Sequence, residues 1–467
     1  MNSIVEVLVN IANWFWGIPV LLVIGVGGLY VTLRLGFVQI TKFGYICSQT
    51  FGKMFGKAEK EGEISPFSAA VAALASSIGA SNIVGVPVAI ALGGPGAIFW
   101  MWVLAIIGCG TKFVEVALGQ MYKEKNEKGE WVGGPYYYLK KGIGGNVGKF
   151  LGILYAFFLM IELIPSIATQ AASASAQALV FGIDQKIVGI IIALIVVVVC
   201  VGGIKRIAKV TDLMVPFMAA FYILGALVVI FMNIENVPEA FSSIFVYAFA
   251  PKAAVGGFAG STIALALRWG AARGVYSNEA GMGTAPMAHS SADVDHPIRQ
   301  AMWGVFEVTV DTLIVCTVTA LTILVSGVWK LEGIEPGALA QAAYNSAFGS
   351  FGDIFVAICV FLFVLSTIIV VVFYGEKQAE FLFGIKFAKI WRWVYVVAII
   401  AATLGVNLTT LYSLTDFFLG TIIIPNMIAV ILLAPKVAAK TKEYFNTPGK
   451  YYLADVEAKK ARKAKKS

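Results

Sequence analysis

Apolar runs of twenty residues or more recur along the whole chain, and no other feature restricts its fold as strongly. A helix needs about 20 apolar residues to cross the hydrocarbon core of a bilayer. By that measure spans fall near 13–33, 66–91, 95–120, 148–181, 187–203, 211–233, 255–276, 299–327, 353–375, 390–406 and 411–434. The pattern predicts an all-α polytopic membrane protein with eleven transmembrane helices. A transmembrane barrel would read as short alternating segments instead. Composition agrees: 59% of residues are hydrophobic and 13% charged, against about 25% charged in soluble domains.

A formal net charge of +8 invites a nucleic-acid reading, but topology accounts for it better. Lys and Arg accumulate on the cytoplasmic side of membrane proteins. With the N-terminus outside, the stretches Arg34 to Lys60, Lys123 to Lys149, Lys205 to Lys209 and Arg273 to Arg299 fall inside, as does everything from Lys377 onward. Only Lys186, Lys252 and Lys330 fall outside, with Lys112 and Arg268 within spans. A multi-pass protein of the cell membrane with a cytoplasmic C-terminus is therefore expected, its tail Lys459–Lys466 solvated beside anionic lipid. The lipid bilayer is a partner and nucleic acid is not; a monomer is expected. Met1–Asn10 lacks basic residues, so no cleavable signal peptide is expected. Cys47, Cys109, Cys200, Cys316 and Cys359 stand singly, which argues against disulfides and thiolate metal sites.

The interruptions in the apolar spans carry the functional signal. Unpaired peptide groups in lipid cost several kcal/mol, so a broken helix persists only where it lines a cavity or packs inside protein. The run Ala75-Ser76-Ser77-Ile78-Gly79-Ala80-Ser81-Asn82-Ile83-Val84-Gly85-Val86-Pro87 lies mid-span and combines small residues, hydroxyls, an amide and a proline. A second run, Arg268-Trp269-Gly270-Ala271-Ala272-Arg273-Gly274, lies in the seventh span. With the first helix set aside as peripheral, the two runs begin the first and sixth of ten helices. That spacing fits an inverted five-plus-five repeat with two broken helices and a site where they meet. The expected organisation is 1–64 as peripheral helix and connector, 65–235 and 236–436 as the two repeats, and 437–467 as a basic tail. Small-residue runs also mark tight helix packing, which is the competing explanation for either run alone.

A half-helix starting near Ser81 would present free N–H groups suited to a carboxylate. Ser77, Gly79, Ala80, Ser81 and Asn82 are the substrate candidates there, although Asn82 is equally suited to capping the second half. The carbonyls from Ala75 to Ile78 have the opposite polarity and suit a cation. Ser366 and Thr367, with Phe363 one turn before, supply hydroxyls that would complete an oxygen shell for sodium, the coupling ion; single hydroxyls in membrane helices more often bond to their own backbone. Thr169 and Gln170, after Pro165, add a hydroxyl and an amide for a carboxylate, or for interhelical packing. A zwitterion and a monovalent ion could thus be held without a formal protein charge. No other cofactor is expected.

Ionisable residues within membrane spans are rare and mark function. Lys112 and Glu115, three apart, read as a structural pair. Glu162, Arg268, Glu307 and Asp311 lie deeper. Glu307 and Asp311 share a helix face, so they need Arg268, a shared proton or a cation, and sodium near Asp311 and Thr312 is the preferred reading. His289 and His296 fall in an inner loop.

Three ordered blocks then become familiar. Gly93-Gly94-Pro95-Gly96-Ala97-Ile98-Phe99-Trp100-Met101-Trp102, Gly133-Gly134-Pro135-Tyr136-Tyr137-Tyr138-Leu139 and Ser277-Asn278-Glu279-Ala280-Gly281-Met282-Gly283, running on to Pro286, resemble motifs of the alanine or glycine:cation symporter family. The likeness runs from about Ser65 to Lys436. It implies a leucine-transporter-like five-plus-five fold in which sodium drives uptake of a small neutral amino acid. It implies Ala75, Ile78, Phe363, Ser366 and Thr367 at that fold's most widely shared sodium site, and Gly79–Asn82 at the first break, with Ser81 in place of a glycine. Trp269, Gly270 and Ala271 would belong to the sixth core helix. Ile368–Phe373 is more aliphatic than the family pattern, which touches side-chain selectivity.

The expected activity is sodium-coupled import of alanine, with glycine as the other candidate, by alternating access. The rival is an ion channel or a non-transporting amino-acid receptor on the same scaffold; isolated polar clusters rather than a continuous polar stripe favour the carrier. An enzyme is not expected, because no nucleophile–base constellation or H-E-x-x-H motif is present.

Overall fold

The computed structural model describes residues 3–54, 64–249, 262–406 and 408–464. Lys57, Lys60 and Lys252 lie outside that range, as do the first part of the span expected at 255–276 and the side chains of the Lys459–Lys466 tail. The described chain is mostly helical. Among the described residues six helices are long and apolar enough to cross a bilayer, and the bent pair Pro66–Ser77 and Ser81–Gly93 supplies a further candidate.

The N-terminal elements are α1 (Ser3–Phe15), α2 (Ile18–Arg34), α3 (Val38–Thr41) and α4 (Phe43–Gln49). The span expected at 13–33 is therefore split at Trp16–Gly17. Pro19 sits in the first turn of α2, where its missing N–H is tolerated, so a new helix starts there.

Ser65 caps α5 (Pro66–Ser77), its hydroxyl accepting Ser68 N–H at 3.0 Å. The helix stops at Ile78, Ser81–Gly85 forms a π-helical turn, and α6 (Val86–Gly93) resumes at a bend of 46°. Then follow α7 (Gly96–Tyr122), a hairpin of β1 (Glu124–Lys125) and β2 (Trp131–Val132), and α8 (Pro135–Tyr138). α9 (Gly145–Gln177) passes through Pro165 without stopping. α10 (Gln185–Cys200), α11 (Gly203–Met232) and α12 (Val237–Phe249) complete the first part of the chain.

α13 (Ile263–Asn278) begins at a Thr262 cap and is followed by α14 (Ala285–His289) and α15 (Pro297–Val308). A π-helical stretch, Thr309–Cys316, joins α15 to α16 (Thr317–Ser326). The last elements are α17 (Leu339–Phe348), α18 (Ser350–Phe383), α19 (Ile385–Ala402), α20 (Leu408–Asn446) and α21 (Tyr451–Ala464). α9 packs on α18 and α20, while α7 packs on α13 and α15, so the break after α5 lies between these two groups.

The interruption expected at Arg268–Gly274 is absent: α13 is continuous through it. Its small residues serve packing instead. A Cβ at Gly270 would collide with the Ala97 carbonyl, and one at Gly274 would lie 3.1 Å from Met101 Cγ, so this Gly-x-x-x-Gly face admits α7 at close range. The chain breaks at Glu279–Thr284, within the third motif, where Glu279, Gly281 and Gly283 take positive φ. Side chains satisfy the unwound backbone. Gly281 N–H donates to Glu115 Oε1 at 3.0 Å, Asn426 Nδ2 donates to Gly281 O at 2.8 Å, and Tyr155 donates to Met282 O at 2.8 Å. Tyr138 of the second motif donates in turn to Asn426 Oδ1.

Candidate binding site at the first helix break

Thr367 reaches the first break from α18. Its hydroxyl lies 3.1 Å from the Ala75 carbonyl oxygen, 3.1 Å from that of Ile78 and 2.9 Å from that of Phe363. Three carbonyls and one hydroxyl therefore converge on one point at a place where α5 has no following turn to use its last carbonyls. Ser366 does not join them. Its hydroxyl donates to its own Phe363 carbonyl at 2.9 Å and lies 3.5 Å from Met218 Sδ, turned toward α11.

The amide end of the break is held by two side chains. Asn82 Oδ1 accepts Gly79 N–H at 2.9 Å, and Gln170 Oε1 accepts Ala80 N–H at 3.0 Å. Gly79 has no room for a side chain, since a Cβ there would lie 2.7 Å from Thr367 Oγ1 and 3.1 Å from Gln170 Nε2. Thr169 is elsewhere. It donates back to Pro165 O at 2.7 Å and faces Thr415 at 3.4 Å.

Asn82 also ties the break to a second polar group. Its Nδ2 donates to Asp311 Oδ1 at 2.7 Å and to Ser277 Oγ at 3.0 Å, while Ser277 and Thr312 donate to Asp311 Oδ2 at 2.8 and 2.7 Å. Asn278 donates to Thr312 at 3.0 Å. A buried carboxylate thus receives three neutral donors, which satisfy it without a partner of opposite charge.

Glu307 has a different solution from its neighbour one turn away. Lys112 Nζ lies 3.1 Å from Glu307 Oε1, both fully buried, and Ser77 donates to the same oxygen at 2.9 Å. His289 Nε2 lies 3.2 Å from Glu307 Oε2, with Nδ1 2.8 Å from the Gln300 amide. Lys112 and Glu115, expected from spacing to pair, instead make their direct contacts with other partners. Lys112 crosses to α15 and Glu115 serves the Gly281 break. Arg268 is not the counter-charge either; its guanidinium lies over Trp269, 5.4 Å from the ring centroid.

Trp269, Gly270 and Ala271 pack α13 against its neighbours: Trp269 Cβ meets the Gly93 position, Gly270 meets Ala97, and Ala271 is buried. Ser77 and Ser81 line a narrow cavity with Ser76, Gln170 and Thr367. Glu162, Ser166, Tyr276, Glu279, Met282 and Thr284 close it, most of which sequence reasoning did not assign. The signal was present in the paired glycines Gly281 and Gly283, which follow the end of α13, where Glu279 reaches the cavity.

The sodium:alanine symporter family model matches residues 1–456. The chain belongs to that family. Membership makes this a multi-pass membrane protein of a symport family rather than an enzyme family. Among its relatives, an uncharacterized transporter, YflA, of Bacillus subtilis is 46% identical over 98% of this chain and 97% of its own. The sodium/alanine symporter AgcS of Methanococcus maripaludis is 42% identical, covering 94% of this chain and 96% of its own. A probable sodium/glutamine symporter, GlnT, of Bacillus subtilis is 36% identical over 95% and 91%. A crystal structure of a manganese transporter from Eremococcus coleocola shares the fold, with a TM-score of 0.51 at 12% identity over 82% of this chain and 79% of that one. The Trp100-Met101-Trp102 block has a structural part: Trp102 Nε1 donates to Thr317 at 2.8 Å and Met101 lies against Gly274.

Proposed function

We propose that the protein imports a small neutral amino acid, alanine or glycine, together with sodium across the cell membrane by alternating access. The observation that carries this is the convergence of the Ala75, Ile78 and Phe363 carbonyls on the Thr367 hydroxyl at a helix break. Sodium takes those four oxygens, displacing Thr367 from its role as donor. The substrate carboxylate takes the N–H groups of Gly79 and Ala80, displacing Asn82 and Gln170. Each ligand removes an internal partner that holds the break closed to the other, so the two bind better together.

In this reading eleven helices span the bilayer, the first peripheral, with 65–235 and 236–436 as inverted repeats whose first helices break at 78–80 and 279–284. The N-terminus is outside and the C-terminus cytoplasmic. Asp311, Thr312 and Asn82 form a second candidate ion position. Ser77 and Ser81 face the cavity, whereas Ser366, Thr169, Trp269, Gly270 and Ala271 are withdrawn from the site because their side chains or surfaces are committed to packing.

The deciding experiment is uptake of labelled alanine into proteoliposomes with and without an inward sodium gradient. Concentrative uptake that requires the gradient is expected. Equal uptake in its absence would defeat the coupling.

A further inference from the structure

Glu162 lies midway along α9 and is 1% exposed. Its Oε1 accepts no hydrogen bond, although buried carboxylate oxygens are ordinarily satisfied. The side chain faces the narrow cavity beside the first break, and Glu279 faces the same cavity from the second break. Glu279 is the better served of the two, receiving the hydroxyls of Ser76, at 3.1 Å, and Thr284.

The cavity lining contains no Lys, Arg or His. The buried ammonium of the region, Lys112, contacts Glu307 and does not line the cavity. Two carboxylates facing one small space in low dielectric stay charged together only with a cation between them; the alternative is a proton on one of them. The hydroxyls of Ser81, Ser166 and Tyr276 line the same cavity, oxygen groups of the kind that suits a hard cation. The free space is about 20 Å³ for a water-sized occupant, room for about one such body. A proton on Glu162 would need no room, and a whole amino acid would not fit.

We propose that this cavity is a site for one sodium-sized monovalent cation, held by Glu162 and Glu279 and distinct from the carbonyl site at Thr367. Ser76 and Ser77, at the end of α5, line it. The inference goes beyond the symport reading and does not depend on which amino acid is carried.

The test counts sodium ions. Binding of radioactive sodium to the purified full-length protein is measured at fixed pH without amino acid, which excludes a substrate ammonium as the occupant. Glu162→Gln keeps the shape and removes the charge; it should bind one sodium fewer per chain than wild type. Thr367→Ala should lose a different equivalent, and the double variant both. Ser166→Ala, which leaves both carboxylates, should weaken the Glu162 equivalent several-fold and covers the case in which Glu162→Gln does not fold. An unchanged count in Glu162→Gln, or proton uptake by wild type in place of the missing sodium, overturns the proposal. If Thr367→Ala also leaves the count unchanged, the carbonyl site fails; if only Glu162→Gln does, this inference fails alone.

Discussion

Asn82 and Asp311, 229 positions apart, meet at 2.7 Å with the amide donating to the carboxylate. With a longer contact to Cys316 Sγ at 3.4 Å, that bond joins the first helix break to the π-helical stretch Thr309–Cys316, and Asn82 Oδ1 simultaneously holds Gly79 N–H. One amide therefore reports the state of the break to a buried carboxylate.

Replacing Asn82 by Ala removes a donor from Asp311 and an acceptor from Gly79. The expected loss of stability is about 1–3 kcal/mol, the usual penalty for stranding buried polar groups. Asn82→Asp should lose more, because it sets two carboxylates face to face, and part of that loss should return at high sodium. Thermal unfolding of the purified variants at low and high sodium checks both statements.

Thr367→Ala deletes the oxygen on which three carbonyls converge. A rise of about tenfold in the sodium concentration for half-maximal alanine uptake is expected, equivalent to ~1.4 kcal/mol. Thr367→Ser should stay near wild type. A sodium titration of uptake distinguishes them, and an unaltered titration for the Ala variant removes Thr367 from the ion site.

Lys112→Met leaves Glu307 buried without its cation. Loss of one partner of a buried pair is expected to cost about 3–5 kcal/mol. Glu307→Gln in the same chain should recover much of it, giving a large coupling in a double-mutant cycle. Additive losses would mean that the 3.1 Å contact contributes little.

Gly270→Leu should abolish correct folding, since even a Cβ meets the Ala97 carbonyl there. Gly36→Ala, where nothing lies within 4 Å but φ is positive, should be expressed and only mildly destabilised. Monodispersity on gel filtration separates the two outcomes.

Much of the architecture was legible because lipid imposes one rule on every span, and apolar length reports it directly. The break at 78–80 was legible for the same reason: Gly, Ser, Asn and Pro concentrated in one span have few other uses. The second break was misplaced because Gly270-x-x-x-Gly274 and Gly281-x-Gly283 look alike in composition. Only the packing partner tells a glycine that admits a neighbouring helix from one that unwinds its own. Lys112 was paired with the wrong acid for a related reason: spacing along one helix reveals a possible neighbour, but Glu307 arrives from a helix nearly 200 positions later.

The two breaks are also fastened differently, and this has a consequence for timing. At Gly281 the peptide is gripped on both sides by Glu115 and Asn426, from two helices, with Tyr138 bracing Asn426. At Gly79 and Ala80 each N–H has a single side-chain acceptor, and two carbonyls share one hydroxyl with a third. The Gly281 segment behaves as a rivet and the Gly79 break as a set of clasps. Cargo entering the clasps trades places with bonds already made, so little net energy is gained on loading. Weak retention of that kind lets a carrier let go as readily as it takes hold.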